Sequence, residues 1–198
     1  MITCLIFALA LVEPGHAGER YQSSLGYSAV VPSGWAPLTQ DGMKREPNRF
    51  GRLFHEMATT DPKLASSLRS EVQNGELDML FHNEAGSVDF VDNISIRRQP
   101  VEEVAWSKEA VAEVCGRLMN PTGEILKVEG LEECAYREAT GHPALFTRIR
   151  GSETITLGYQ IVISPTEMLV VTAAAKLKNA KDVGDVLTTL IRSFEFSQ

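Results

Sequence analysis

The side chains with the most specific chemistry in this 198-residue chain are four histidines, three cysteines and a few closely spaced arginines. His55 precedes Glu56, and His82 lies two residues before Glu84. A histidine and a glutamate brought together across neighbouring strands can hold zinc or act as an acid–base pair. The plainer reading of each is a partly exposed histidine on a strand. His142, between Gly141 and Pro143, suits a turn better than catalysis. The chain has no G-x-S-x-G nucleophile turn, no glycine-rich phosphate loop and no H-E-x-x-H zinc motif. The pairs Glu102-Glu103 and Glu132-Glu133 are adjacent and point apart, so they are not acid–base dyads. The sequence is therefore read as non-enzymatic, with no metal and no cofactor.

Arg97, Arg98, Arg148 and Arg150 form the notable basic set. Arg148 and Arg150 share one face of a strand, because side chains alternate. A strand at 93–98 lying beside them would make Arg97, Arg148 and Arg150 one cationic patch for a carboxylate or an acidic protein partner. The alternative is a solvated sheet face laced by ion pairs to the many glutamates. Trp35 follows Pro32-Ser33-Gly34 and either seals one end of the core or lines a groove; sealing suits its large apolar area better.

Ile2–Val12 is an apolar run broken by Thr3 and Cys4, and Gly15-His16-Ala17 ends it with small residues at the two positions a signal peptidase reads. Residues 1–17 are thus expected to be a signal peptide, cut after Ala17. Cys115 and Cys134 then remain, in no metal-type spacing. In an oxidising compartment they are a disulfide pair closing a loop of about twenty residues. The alternative is two buried free thiols acting as small apolar side chains.

The elements that must position these groups follow from patterning. A net charge of -7 argues against general nucleic-acid binding, and no apolar run reaches the length that spans a bilayer. The length suits a single domain over 18–198. Gly18–Leu25 reads as a leader into the fold, Tyr27–Val31 as a strand, 36–49 as a loop and Phe50–Met57 as a strand. Asp61-Pro62 starts a helix over 62–73 with Leu64, Leu68 and Val72 as its apolar stripe. Strands are expected at 77–81 and 93–98, joined by a polar loop around Gly86. Ser107 caps a helix over 107–119 whose buried stripe is Val111, Val114, Cys115 and Leu118, with Trp106 stapled to Val111. Short strands at 125–128 and 134–137 precede a three-stranded meander over 144–150, 155–163 and 168–174. Asn179 caps a last helix over 180–192 with Val183, Val186, Leu187, Leu190 and Ile191 facing inward. The hairpin series favours an α+β fold, an antiparallel sheet flanked by helices, over a parallel doubly wound one.

The order of these features resembles a known family. Tyr27-Ser28-Ala29-Val30-Val31-Pro32-Ser33-Gly34-Trp35 opens the domain, and Asn93-Ile94-Ser95-Ile96 precedes a capped helix. Gly141-His142-Pro143-Ala144 leads into a strand, and a hairpin and a helix ending Ile191-Arg192-Ser193-Phe194 close the pattern. This resembles the PsbP-like superfamily, including the DcrB-like group of exported bacterial proteins. The resemblance implies an α-β-α sandwich around an antiparallel sheet and members that act mostly by binding other proteins; no functional residue carries over. The expected function is an exported, periplasmic or secreted, non-enzymatic accessory or protein-binding domain of the cell envelope. One alternative is a small hydrolase or metal-binding enzyme using His55 or His82. Another is an immunity- or inhibitor-type partner of a secreted protein, its acidic charge matched to a basic target.

Overall fold

The computed structural model describes residues 18–82, 92–102, 105–120 and 128–197, without the side chains of Glu56 and Thr60. The expected signal peptide, the polar loop around Gly86, and the strand expected at 125–128 except for Val128 lie outside the described residues.

Alternating apolar residues build the main sheet. Along β8 (Thr154–Ser164), Ile155, Leu157, Tyr159 and Ile161 face one side, and β9 (Glu167–Lys176) turns Leu169, Val171, Ala173 and Ala175 to the same side. β7 (His142–Arg150) pairs with β8, Phe146 opposite Tyr159. β6 (Leu131–Ala139) continues the meander outward from β7. On the other side of β9 come β5 (Asn93–Pro100), β4 (Asp78–His82) and β3 (Trp35–Leu38). The order is β3-β4-β5-β9-β8-β7-β6, and every neighbouring pair is antiparallel.

One turn and one edge strand explain differences from the sequence reading. The β6–β7 hairpin turns on Thr140 (φ 50°) and Gly141 (φ 81°), the left-handed pair whose twist matches a tight hairpin. His142 is therefore the first residue of β7 and not part of the turn; its Nδ1 lies 3.0 Å from the Val162 carbonyl oxygen. Trp35–Leu38 is a strand and not loop, although it contains Pro37. It lies at the sheet edge, where a residue without an N–H is tolerated.

Two helices, parted at Glu46, fill residues 40–60. Thr39 caps α1 (Gln40–Arg45) by accepting from the Gly42 N–H at 3.0 Å, and Pro47 opens α2 (Pro47–Thr60). The strand expected at Phe50–Met57 is helix because Phe50, Phe54 and Met57 recur at helical spacing and bury together. α3 (Pro62–Gln73) is capped by Asp61, which accepts from the N–H groups of Lys63 and Leu64. Val72 and Leu68 of the expected stripe pack against the core, but Ala65 takes the place expected for Leu64. Ala65 and Val72 are buried, while Leu64 is 51% exposed.

α4 (Lys108–Met119) is capped by Ser107, whose Oγ accepts from Ala110 N–H at 3.1 Å, and α5 (Ala180–Arg192) buries Val183, Leu187, Leu190 and Ile191. Asn179 holds the position before α5 but makes no side-chain cap. Its amide donates to Asp92 instead, and Asp92 also accepts from Lys176 N–H at 2.8 Å.

The layers follow from side-chain alternation. Leu80, Ile94, Ile96 and Phe146 point to one face and pack with α5. A second, three-stranded antiparallel sheet joins that layer, in the order β1 (Arg20–Gln22), β2 (Tyr27–Val30), β10 (Glu195–Phe196). The expected leader thus contains a strand. Met79 and Leu38 point to the opposite face, under Phe50, Phe54 and Val72 of α2 and α3. Leu145 does the same at the other end, under Val111 and Cys115 of α4. The result is α+β: a seven-stranded antiparallel sheet with α5 on one face and α2, α3 and α4 on the other.

Candidate functional site

α5 covers β8 and β9 but leaves the same face of β6 and β7 beside it open. The result is a groove of about 700 Å³ between α5 and the outer strands. Its floor is Phe146 on β7 and Leu157 and Tyr159 on β8; its wall is Gly184, Leu187, Thr188 and Ile191 of α5. Phe146 and Tyr159 meet at 4.9 Å between ring centres, a cross-strand aromatic pair that forms the floor. Arg137, from β6, lies over the Phe146 ring at 5.4 Å and pairs with Glu133 at 2.5 Å.

Five cations line the groove, Arg137, Arg148, Lys178, Lys181 and Arg192, against three carboxylates, Glu133, Glu138 and Asp185. In a chain of net charge -7 this concentrates positive charge locally. Lys181 pairs with Asp185 at 2.7 Å, whereas Lys178 and Arg192 take part in no ion pair among the described residues. Burial pushes the Tyr159 phenol above its ordinary range; Arg137 and Arg192 pull it back, and Glu133 adds to the rise.

The arginines singled out in the sequence are only partly brought together. Arg148 and Arg150 face the groove side of β7, as alternation requires, and share Glu132, which lies 3.6 Å from Arg148 Nε. The Arg148 Nε–H is itself buried without a hydrogen-bond acceptor among the described residues. Arg97 belongs to no such patch. β9 and β8 stand between β5 and β7, and Arg97 points to the opposite face, where it pairs with Glu71 of α3 at 2.6 Å. Glu71 is held below the ordinary carboxylate range, chiefly by that hydrogen bond. Arg98, on the groove face of β5, pairs with Glu167 and donates to the Leu25 carbonyl oxygen at 3.2 Å.

The described histidines do not converge. His55 is exposed on α2 and not on a strand, and His82 ends β4 with its ring 5.7 Å from that of Trp35. Glu84 and the side chain of Glu56 lie outside the described residues. Among the described residues no three potential ligands gather for a metal ion. Trp35 is buried in the main core, and it also edges a second hollow of about 540 Å³ with His82, Asp92 and Asn179. Among the described residues no helix is long and apolar enough to cross a membrane. Cys115 of α4 and Cys134 of β6 are bridged, with their Cα atoms 5.3 Å apart.

One polar cluster was missed by reading the sequence. Asp78, fully buried on β4, accepts from the Ser23 hydroxyl at 2.5 Å and the Tyr27 hydroxyl at 2.7 Å, and the Tyr21 and Tyr27 hydroxyls lie 3.0 Å apart. Both donors reach Oδ2, and Oδ1 has no partner among the described residues. Burial pushes the Asp78 carboxyl up to about 6, against the pull of the two hydrogen bonds. A lone aspartate opening an apolar stretch carried no signal of this; only the second sheet, which the sequence did not announce, brings Ser23 and Tyr27 to it.

No family model and no curated protein matches this chain. Among solved structures it is similar to the solution structure of cyanobacterial PsbP (CyanoP) from Synechocystis sp. PCC 6803, at 12% identity and a TM-score of 0.49, over 92% of this chain and 94% of that one. It is similar to LpqN of Mycobacterium tuberculosis, described as involved in cell envelope biogenesis, at 11% identity and a TM-score of 0.42, over 61% of this chain and 72% of that one. It is also similar to a protein from Bacteroides thetaiotaomicron, at 10% identity and a TM-score of 0.41, over 92% of this chain and 49% of that one. PsbP is thus among the structures this chain is similar to, as the residue order suggested, while the DcrB-like part of that resemblance rests on sequence alone.

Proposed function

We propose that this chain is an exported, non-enzymatic accessory domain of the cell envelope that acts by binding another protein through the groove beside α5. The groove carries this reading: an aromatic floor lies beside two cations, Lys178 and Arg192, that no carboxylate of the described chain engages. Buried aromatics flanked by arginine are the usual anchors of protein interfaces. Export is supported by the apolar run at Ile2–Val12 and by the Cys115–Cys134 bridge, since structural disulfides belong to oxidising compartments.

Site-specific photocrosslinking of the full chain in cells that produce it tests the binding role. A photoreactive residue at Thr188, on the groove wall, is expected to give a discrete protein adduct, and one at Lys63, on the far layer, none. The absence of an adduct at Thr188, or an equal one at Lys63, overturns the reading. Thiol labelling in the same cells tests export: free thiols at Cys115 and Cys134 would place the chain in a reducing compartment.

A further inference from the structure

The groove carries a more specific message about its occupant. At one corner Arg192 is in no ion pair, and the Tyr159 hydroxyl has no hydrogen-bond partner among the described residues. Both line the groove, and the Arg192 charge favours the ionised form of the Tyr159 phenol. Arg137 lines the same groove but is committed to Glu133 and to the face of Phe146. The corner therefore offers a guanidinium fork and a phenol O–H, all donors, with no acceptor supplied by the described chain. A carboxylate complements this set; a neutral group would cover the charge without compensating it.

At the other end of the groove Lys178 is also in no ion pair among the described residues. It precedes Arg192 by fourteen residues, nearly all in α5 or the turn before it, so the two lie about 20 Å apart along the helix axis. No small anion reaches both. An extended peptide covers that span in about six residues. Its alternate side chains would lie over the Phe146–Tyr159 floor while its ends meet the two cations.

We propose that the groove binds an acidic, extended segment of a partner protein, with one carboxylate on Arg192 and Tyr159 and a second, about six residues away, toward Lys178. This rests on the groove being the protein-binding surface. The test uses the full chain and a fluorescein-labelled peptide with a glutamate at each end and alternating valine and threonine between, against the same peptide ending in glutamines. The acidic peptide is expected to bind saturably and more weakly as salt rises. Arg192→Glu should weaken it by about tenfold, Tyr159→Phe and the glutamine ends by several-fold, and Lys63→Glu not at all. Both groove substitutions sit on partly exposed side chains, so a matching circular dichroism spectrum shows that the fold is kept. No saturable binding, or an equal loss with Lys63→Glu, overturns the proposal. So does saturable uptake by phosphatidylglycerol vesicles in place of the peptide, or self-association that Arg192→Glu abolishes. An adduct at Thr188 without peptide binding rejects the acidic class alone, whereas the lack of any adduct rejects the groove as well.

Discussion

Tyr27 donates its hydroxyl hydrogen to Asp78 at 2.7 Å, and this bond joins the three-stranded sheet to the seven-stranded one. Tyr27 is on β2 and Asp78 on β4, and both are fully buried. Burial raises the carboxyl from 3.8 to about 6, so the fold favours its protonated form over the charged one. A proton on the carboxyl adds a donor, and Oδ1 is the oxygen with no hydrogen bond among the described residues.

The pH dependence has a definite sign. With a folded-state value above the unfolded one, the native state binds this proton more tightly. Stability should rise as pH falls from about 6 toward 4 and should be lower above 6. The difference amounts to about 3 kcal/mol for a shift of this size. Urea unfolding from pH 4.5 to 7.5 should show that gain, and Asp78→Asn, which keeps an acceptor for Ser23 and Tyr27, should flatten it. An unchanged slope in the variant would show that the carboxyl does not titrate in this window. As pH falls below the ordinary glutamate value of 4.5, Glu71 acts in the opposite direction, because Arg97 holds it low and its protonation loses that pair.

The Cys115–Cys134 bridge ties α4 to the outermost strand, with 19 residues of sequence separation. Closing a loop of this length contributes about 3 kcal/mol on the chain-entropy view. α4 buries only Val111 and Cys115, a thin contact for a helix of 12 residues. Reduction, or Cys115→Ala with Cys134→Ala, should therefore lower Tm and release the amide protons of α4 before those of α5. Hydrogen exchange with and without reductant reads this directly. Equal protection of α4 in both states would assign its docking to Val111 and Trp106 alone.

Leu187 and Leu64 look alike in sequence, each a leucine on an apolar helix stripe. Leu187 is 1% exposed beneath the main core, and Leu64 is 51% exposed. Leu187→Asp should bury an unpaired charge and cost more than about 4 kcal/mol, enough to unfold the chain. Leu64→Asp should stay within about 0.5 kcal/mol of the original. Thermal melts of the two variants settle which residues face inward.

Where one physical signal dominated, the fold could be read from sequence. Asp61-Pro62 and Ser107 mark helix starts because a capping oxygen and a fixed φ act locally, and Ile155–Ile163 alternates because one face of β8 is buried. Elements stabilised by distant partners were not legible. Phe50, Phe54 and Met57 recur at helical spacing, but a short window reads the segment as a strand, and packing against α3 and β4 is what buries that helical face. Arg20–Gln22 and Glu195–Phe196 are strands because β2 accepts them on either side. The groove was half visible: Arg148 was flagged, but Tyr159 and Arg192 read as strand alternation and a helix terminus until the sheet order placed β7 and β8 beside α5.

Gly130 and Gly141 flank β6 and both have positive φ, 74° and 81°. Their surroundings differ. A Cβ on Gly141 meets nothing within 4 Å, whereas one on Gly130 would stand 2.0 Å from the Arg150 carbonyl oxygen. The same backbone approach lets Arg150 N–H donate to the Gly130 carbonyl at 2.7 Å, which closes the β6–β7 ladder at its far end. Gly141→Ala should thus cost only the left-handed penalty, about 1–2 kcal/mol. Gly130→Ala adds a clash with backbone that no side-chain rotation relieves, so it should cost clearly more and break the Arg150–Gly130 bond. Glu132 follows two residues later and holds Arg148 and Arg150, so this substitution should also disturb the groove rim. Parallel denaturation curves, with hydrogen exchange at the Arg150 amide, test the pair. Equal losses for the two alanines would mean that the Gly130 backbone can move away from Arg150 at little cost.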